Sequence, residues 1–157
     1  MTSRAEPSWI VRIPPPVWTL AMLIAAYALQ RNASAIAIPV IQSTVIAIVL
    51  IVMGIALAAW GRLTFAAVGT EIIPSSATNK KLVTHGPFRF TRNPMYLGLI
   101  LASFGVAFYF GTLPFFVVPL LVFLLCNFTF IPFEEAKMQR QHSVPYTDYR
   151  QRVRRWI

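Results

Sequence analysis

Residues 35–60 run for 26 positions without a charged side chain, and this stretch restricts the fold more than any other feature of the chain. A helix needs about 20 apolar residues to cross the hydrocarbon core of a bilayer. Inside that core every backbone N–H and C=O must be satisfied by the protein itself, which a helix achieves within one segment. Two further uncharged runs, 95–110 and 112–133, are separated by Gly111 alone. A fourth, 13–30, reaches spanning length once the residues flanking its VWTLAMLIAAYAL centre are included. Composition agrees, because 57% of the residues are hydrophobic and 12% charged, whereas soluble domains carry about 25% charged residues. The reading is a single all-α domain, 1–157: a polytopic membrane helix bundle with about four transmembrane helices, the last two forming a tight hairpin. Pro114 and Pro119 in the last run predict a kink there and not a break, since neighbouring helices can satisfy the freed carbonyls.

The net charge of +9 would suggest a nucleic-acid partner if the basic residues shared one soluble face, but they lie between the apolar runs. Lysine and arginine in short loops mark the cytoplasmic side. Arg4 and Arg12 precede the first run, Arg62, Lys80, Lys81, Arg89 and Arg92 separate the second from the third, and Lys137, Arg140, Arg150, Arg152, Arg154 and Arg155 follow the last. With four spans and both termini inside, Arg31 alone lies on the far face. The expectation is an integral protein of the inner or plasma membrane, in contact with membrane lipids and not with nucleic acid, with its termini and any active site cytoplasmic. The amino terminus lacks the small-residue cleavage pattern of a signal peptide. One cysteine, Cys126, allows no internal disulfide and reads as packing in an apolar helix; with His85 and His142 it provides no metal site. The spans hold no ionisable residue apart from tyrosines, which argues against ion or proton translocation. A non-enzymatic scaffold or a small transporter-like bundle remains the alternative to an enzyme.

The unusual polar residues gather in two segments, 83–98 and 134–150. They meet at one membrane surface if the third span begins, and the fourth ends, on the same side. Asn93-Pro94 reads as a helix start, with asparagine capping and proline at the first position. The plain reading is a capped helix beside one topology-setting arginine; the functional one is a helix amino terminus and a guanidinium that attract a carboxylate or phosphate. Glu134 and Glu135 stand out because the other acids are only Glu6, Glu71 and Asp148. Adjacent helical positions point about 100° apart. The pair is either solvated, with Glu134 facing Lys137 or Met138, or it recognises a cation, or an amino group and ribose hydroxyls. His85 is an ordinary loop histidine or a base; Tyr96, Tyr146 and Tyr149 would otherwise be interfacial anchors. Arg152, Arg154, Arg155 and Trp156 read as a topology and headgroup anchor.

In order along the chain, Gly86-Pro87-Phe88-Arg89, then Arg92-Asn93-Pro94-Met95-Tyr96-Leu97-Gly98, two closely spaced apolar runs, Glu134-Glu135, and Tyr146 and Tyr149 before a basic end resemble the isoprenylcysteine carboxyl methyltransferase and phospholipid methyltransferase group of integral membrane enzymes. The resemblance covers roughly residues 69–157. It implies S-adenosylmethionine as methyl donor at the cytoplasmic surface and a lipophilic acceptor, an isoprenylcysteine-like carboxylate or a lipid amine or thiol, reaching it through the membrane-embedded part. By matched position it implies that His85, Gly86 and Pro87 line the cofactor pocket, that Arg92, Pro94, Tyr96 and Leu97 belong to the motif opening the third span, that Glu134 and Glu135 are the paired glutamates, and that Tyr146 and Tyr149 help close a lid. Arg92 and Glu134 are the catalytic candidates. Asn93 departs from the histidine of many relatives, and Met138, His142 and Ser143 from the usual leucine, phenylalanine and glycine. Methyl transfer from a sulfonium needs alignment and exclusion of water more than it needs a catalytic triad, which suits this chain. A carboxylate acceptor would be oriented by Arg92; an amine would need a base, either His85 or Glu134. The small residues Gly98, Ala102 and Gly105 permit either a close helix contact or a narrow groove.

The charge pattern makes one direct prediction. A cysteine placed at Arg31 or at the 111 turn should be labelled only from outside the cell, and cytoplasmic labelling of either would overturn the topology.

Overall fold

The computed structural model describes residues 9–33, 36–69 and 81–157. Arg4, Glu6, Glu71 and Lys80, which the sequence places on tails and loops, lie outside the described residues, as does the start of the 35–60 run. The elements are α1 (Trp9–Arg12), α2 (Pro15–Asn32), α3 (Thr44–Val68), a 3-10 turn (Gly86–Arg89), α4 (Pro94–Phe110), α5 (Leu113–Leu125), a π-helical stretch (Cys126–Phe130) and α6 (Ile131–Arg152). Among the described residues there is no strand, so the all-α expectation holds. Among the described residues two helical stretches are long and apolar enough to cross a membrane, Thr44–Val68 and Leu113–Arg152, the apolar part of the second lying ahead of Glu134.

The 35–60 run is not one helix. Helix α3 begins at Thr44, where the Ser43 hydroxyl accepts from the Ile46 N–H at 3.4 Å, and it continues past Arg62 to close on Gly69 at φ 67°. Pro39 and the capping serine explain the late start, and the left-handed glycine explains the stop. The preceding residues lie across the junction of α4 and α5. Val40 N–H donates to the Gly111 carbonyl (2.8 Å), Leu113 N–H to Ile38 (2.9 Å) and Ser43 N–H to Phe108 (3.0 Å). A carboxamide N–H of Gln42 donates to the Tyr109 carbonyl at 2.8 Å. At the same end the Thr112 hydroxyl donates to the Gln30 side chain at 2.6 Å, which holds the end of α2. Thus α2, α3, α4 and α5 run alternately between this end and the opposite one, where the polar segments gather. Gly111 sits at φ 69°, and a Cβ there would lie 2.6 Å from Gln42 Cβ, so Tyr109, 53% exposed beside it, is the better labelling position for that turn.

Helices α3 and α4 approach backbone to backbone. A methyl at Gly98 would overlap the Gly54 carbonyl oxygen and come within 2.9 Å of Ala58 N, while one at Gly105 would stand 2.7 Å from the Ala47 carbonyl. Of the two possibilities for Gly98, Ala102 and Gly105, Gly105 thus serves the close contact alone, whereas Gly98 and Ala102 also border a cavity described below. Helix α5 packs on α2 and α4 around Phe115, Val118 and Val122, all under 3% exposed, with the Phe110 and Phe115 rings stacked at 3.9 Å. Pro119 lies within α5 without breaking it.

The π-helical stretch ends where Pro132 begins the next turn. Proline has no N–H to offer and its ring crowds the carbonyl four residues back, so the helix widens and the Ile131 N–H reaches the Cys126 carbonyl five residues earlier. A second irregularity divides α6 at Ser143, whose φ of 37° and ψ of −108° are non-helical. Pro145 follows two residues later, and a non-glycine residue at positive φ is a strained position.

Replacing Gly54 by alanine should lower stability by about 2 kcal/mol or more, the cost of overpacking against backbone that cannot yield. Thermal unfolding in detergent should show it, and an unchanged midpoint would mean that the crossing is looser than described.

Candidate functional site

The segment after α3 returns to it through the Gly86–Arg89 turn. Gly86 takes φ 61°, and a Cβ would lie 2.9 Å from Thr64 Oγ1, so glycine is required by both conformation and contact. Phe88 then packs edge-on against Phe65 of α3 at 4.9 Å between ring centroids. This delivers Thr91, Arg92 and Asn93 to the start of α4, facing the first turns of α6.

Of the two readings left open for the glutamates, the solvated pair does not hold, because both carboxylates are engaged within the protein. Glu134 Oε1 accepts the Tyr96 hydroxyl at 2.6 Å. Glu135 Oε1 accepts Arg92 Nη2 at 2.8 Å, and Oε2 accepts Arg155 Nη2 at 2.7 Å. The Arg92 and Glu135 side chains are only 10% and 11% exposed, a burial that a charged pair tolerates only when well bonded. Arg92 Nη1 also approaches the Arg150 carbonyl at 3.4 Å. Arg92 Nε is buried without a hydrogen-bond partner among the described residues.

Asn93 is not the capping residue that the sequence suggested. No side-chain cap bond forms at α4; instead Asn93 Nδ2 donates to the Arg155 carbonyl at 2.9 Å. Arg155 and Trp156 are likewise not free headgroup anchors. Arg155 reaches Glu135, and the Trp156 indole N–H donates to Asn127 Oδ1 at 3.1 Å. Asn127 and Arg155 were missed from sequence. The signal for Asn127 was its being the one carboxamide in the 112–133 run, where an amide needs a partner; Arg155 had none, being one of several terminal arginines.

These groups wall a cavity of about 90 Å³ lined by Arg92, Pro94, Tyr96, Glu134, Glu135, Tyr146 and Tyr149 together with Asn93, Phe65, Val83, Phe88, Lys137 and Met138. His85, Gly86, Pro87 and Leu97 lie outside its lining; His85 is exposed, and Pro87 is buried behind the wall. Tyr146 and Tyr149 are each 4% exposed, and the Tyr149 hydroxyl donates to the Phe88 carbonyl at 2.8 Å, joining the outer half of α6 to the turn. Burial raises the Tyr146 phenol to about 12 and raises that of Tyr149 as well, so both stay neutral. Glu134 lies just beyond the apolar run that ends at Phe133. Burial pushes its carboxyl up to about 7, against the Tyr96 hydrogen bond and the Lys137 charge, which pull it down.

A second cavity, about 560 Å³, adjoins the first, since Met95, Tyr96 and Glu134 line both. Its other walls are Pro14, Pro15 and Pro16, Gly54, Ile55, Ala58, Ala59 and Arg62 of α3, and Gly98, Leu99 and Ala102 of α4. It is an apolar chamber whose polar groups are Glu134 and Tyr96 at the seam and Arg62 at the end of α3.

No curated protein and no solved structure matches the chain. A family model described as phospholipid methyltransferase matches residues 42–143, from the cap of α3 to the break in α6. Tyr146, Tyr149 and Arg155 lie beyond the matched stretch, while Arg92, Tyr96 and both glutamates lie within it. Well over half of the sequence is covered, and the chain belongs to the phospholipid methyltransferase family of membrane enzymes.

Proposed function

We propose that this membrane methyltransferase takes its methyl group from S-adenosylmethionine, bound in the cavity between α4 and α6, and transfers it to a lipophilic acceptor lodged in the apolar chamber beside α3. The observation that carries the reading is the juxtaposition of the two cavities across Glu134 and Tyr96. When bound, S-adenosylmethionine supplies a methyl group already activated on a positively charged sulfur.

The residues fit such a molecule. Arg92 is on the cavity wall, its guanidinium is suited to a carboxylate, and its buried Nε, without a partner among the described residues, is a donor that calls for one. The aromatic wall of Phe88, Tyr146 and Tyr149 suits a flat, partly apolar group. The closed volume of about 90 Å³ is below the roughly 300–1,000 Å³ of small-molecule sites. The outer half of α6, which begins at the strained Ser143 and carries Tyr146 and Tyr149, is the segment whose movement would widen the cavity for the cofactor.

At the seam Glu134 faces the acceptor, and its environment selects what that acceptor is. A carboxylate head would meet a second carboxylate, whereas an amine or thiol would meet a base whose pKa is close to 7. With the methyl carbon exchanging its bond to the sulfonium sulfur, which would leave as the neutral thioether, for one to the acceptor nitrogen or sulfur, Glu134 would take the proton that the head gives up, and Tyr96 would hold the carboxylate in place. The chamber walls bury an alkyl or prenyl chain, at about 0.8 kcal/mol per methylene, and so favour a lipid over a soluble amine. Arg92 and Glu134 are the catalytic pair in this reading; Pro94, Glu135, Tyr146 and Tyr149 complete the cofactor side.

The same reading has four spans, with α4 and α5 as a tight hairpin. At 1.5 Å per residue the 17 residues of α4 and the 18 of α2 rise about 25 and 27 Å, nearly the thickness of the hydrocarbon core. With its basic residues inside, the site in this reading faces the cytoplasm.

Replacing Arg92 by alanine, or Glu135 by glutamine, should weaken binding of S-adenosylhomocysteine by more than about 1.5 kcal/mol; unchanged calorimetric affinity in both folded variants would sink the cofactor site. The rate of methyl transfer to a lipid amine should rise with pH through about 7, as the raised Glu134 carboxyl loses its proton, and Glu134→Gln should abolish that limb. Enlarging Gly98 would disturb the α3 crossing, so the chamber is better probed at Ala59. Ala59→Trp should raise the acceptor KM at least about tenfold, equivalent to 1.4 kcal/mol, while leaving S-adenosylhomocysteine affinity unchanged.

A further inference from the structure

Glu135 stands between two guanidinium groups, and only one of them reaches the cavity. Oε1 accepts from Arg92 Nη2 at 2.8 Å and from Arg155 Nε at 3.3 Å, and Oε2 accepts from Arg155 Nη2 at 2.7 Å. Arg155 thus grips the carboxylate with two nitrogens of its fork, the geometry in which arginine differs from lysine. It is not part of the cavity wall, so whatever it does for a ligand it does through Glu135 and Arg92.

The tail that carries Arg155 is itself held on three sides. Its carbonyl accepts from Thr91 Oγ1 at 3.1 Å and Asn93 Nδ2 at 2.9 Å, and the Arg154 carbonyl accepts the Arg92 N–H at 3.0 Å. Arg155 Nη1 and the Trp156 indole both donate to Asn127 Oδ1, at 3.3 and 3.1 Å. The Trp156 ring packs on Phe123 at 5.1 Å. The carboxy terminus therefore ties the π-helical stretch, the glutamate and the start of α4 into one unit.

We infer that Arg155 is a positioning residue of the cofactor site: by holding both oxygens of Glu135 it fixes the orientation of Arg92 and keeps the cluster electropositive. Two consequences of the geometry support this. A lone Arg92–Glu135 pair would be neutral overall and would attract an anion weakly, whereas two guanidiniums on one carboxylate leave a net positive charge beside the cavity. And a carboxylate held at both oxygens cannot turn to take a second nitrogen of Arg92, so Nε is left without a hydrogen-bond partner among the described residues. The inference rests on the cofactor reading given above and assigns to Arg155 a part in it that lies outside the matched family stretch.

Calorimetry of S-adenosylhomocysteine binding to the full chain in lipid nanodiscs tests it. Arg155→Ala should weaken binding at least about tenfold, a loss in the range of charge-assisted bonds. Arg155→Lys, which keeps the charge and loses the fork, should recover part of that loss. In a Glu135→Gln background Arg155→Ala should cost little more, because the two act as a unit. Arg152→Ala and Arg154→Ala remove equal charge from exposed side chains and should bind as the wild type does. If Arg155→Ala behaves like these two, or its effect simply adds to that of Glu135→Gln, Arg155 is a surface charge and the proposal is overturned while the cofactor site stands. If the wild type does not bind, the cofactor reading fails and takes the proposal with it. Should Arg155→Ala lose the fold, Arg155→Lys decides: affinity equal to the wild type's would overturn the role of the fork.

Discussion

The close crossing of α3 and α4 determines where everything else in the site can lie. Lipid tails are as apolar as leucine, so helices in a bilayer gain little from burying apolar surface against one another and depend on close packing instead. Gly54 against Gly98, and Gly105 against the Ala47 carbonyl, provide that contact. With the two axes so near, the last turns of α3 stand directly beside the start of α4: Gly61 meets Met95 and Pro94, and Thr64 and Phe65 receive the Gly86 turn and Phe88. The outward face of α3, with Val45, Ile48, Val52 and Leu63 more than half exposed, carries the apolar surface that a lipid environment would cover.

Two local irregularities of the last helix convert this scaffold into a site. Pro132 widens the turn ahead of α6 and so changes which residues face inward after Phe130. Asn127 can then meet the carboxy-terminal tail while Glu134 and Glu135 meet α4. The break at Ser143 turns the remaining half of α6 back over the cavity, where Tyr149 bonds to Phe88. A straight helix of uniform pitch would carry its last two turns away from the turn at Gly86–Arg89.

Neighbouring carboxylates acquire different chemistry from these surroundings, a common arrangement for dividing roles between like groups. Glu135 is held by two arginines and has no free oxygen, so it organises charge. Glu134 accepts a hydrogen bond from the Tyr96 phenol and sits at an apolar seam, where burial raises its pKa toward neutrality. One serves to hold a cation in place; the other is able to exchange a proton near pH 7.

Much of this was legible in the residues before any coordinates. Uncharged runs dictate helices, because only hydrogen bonds internal to the segment can satisfy a backbone removed from water. The order of Arg92-Asn93-Pro94, the paired glutamates and the two tyrosines identified the elements that meet. What the one-dimensional pattern could not convey is the partner of each side chain. Asn93 looked like a cap and instead holds the tail; Arg155 looked like a lipid anchor and instead grips Glu135; residues 36–43 looked like the start of a span and instead cross the end of α4 and α5. By itself the sequence determined the helices, the charge distribution and the family chemistry, since these follow from local hydrogen bonding, hydropathy and residue type. Only the tertiary structure decided which carboxylate meets a phenol at the apolar seam and which is saturated by arginines, because that depends on a guanidinium 20 residues further along the chain, brought back by a break at Ser143 that no periodicity announces.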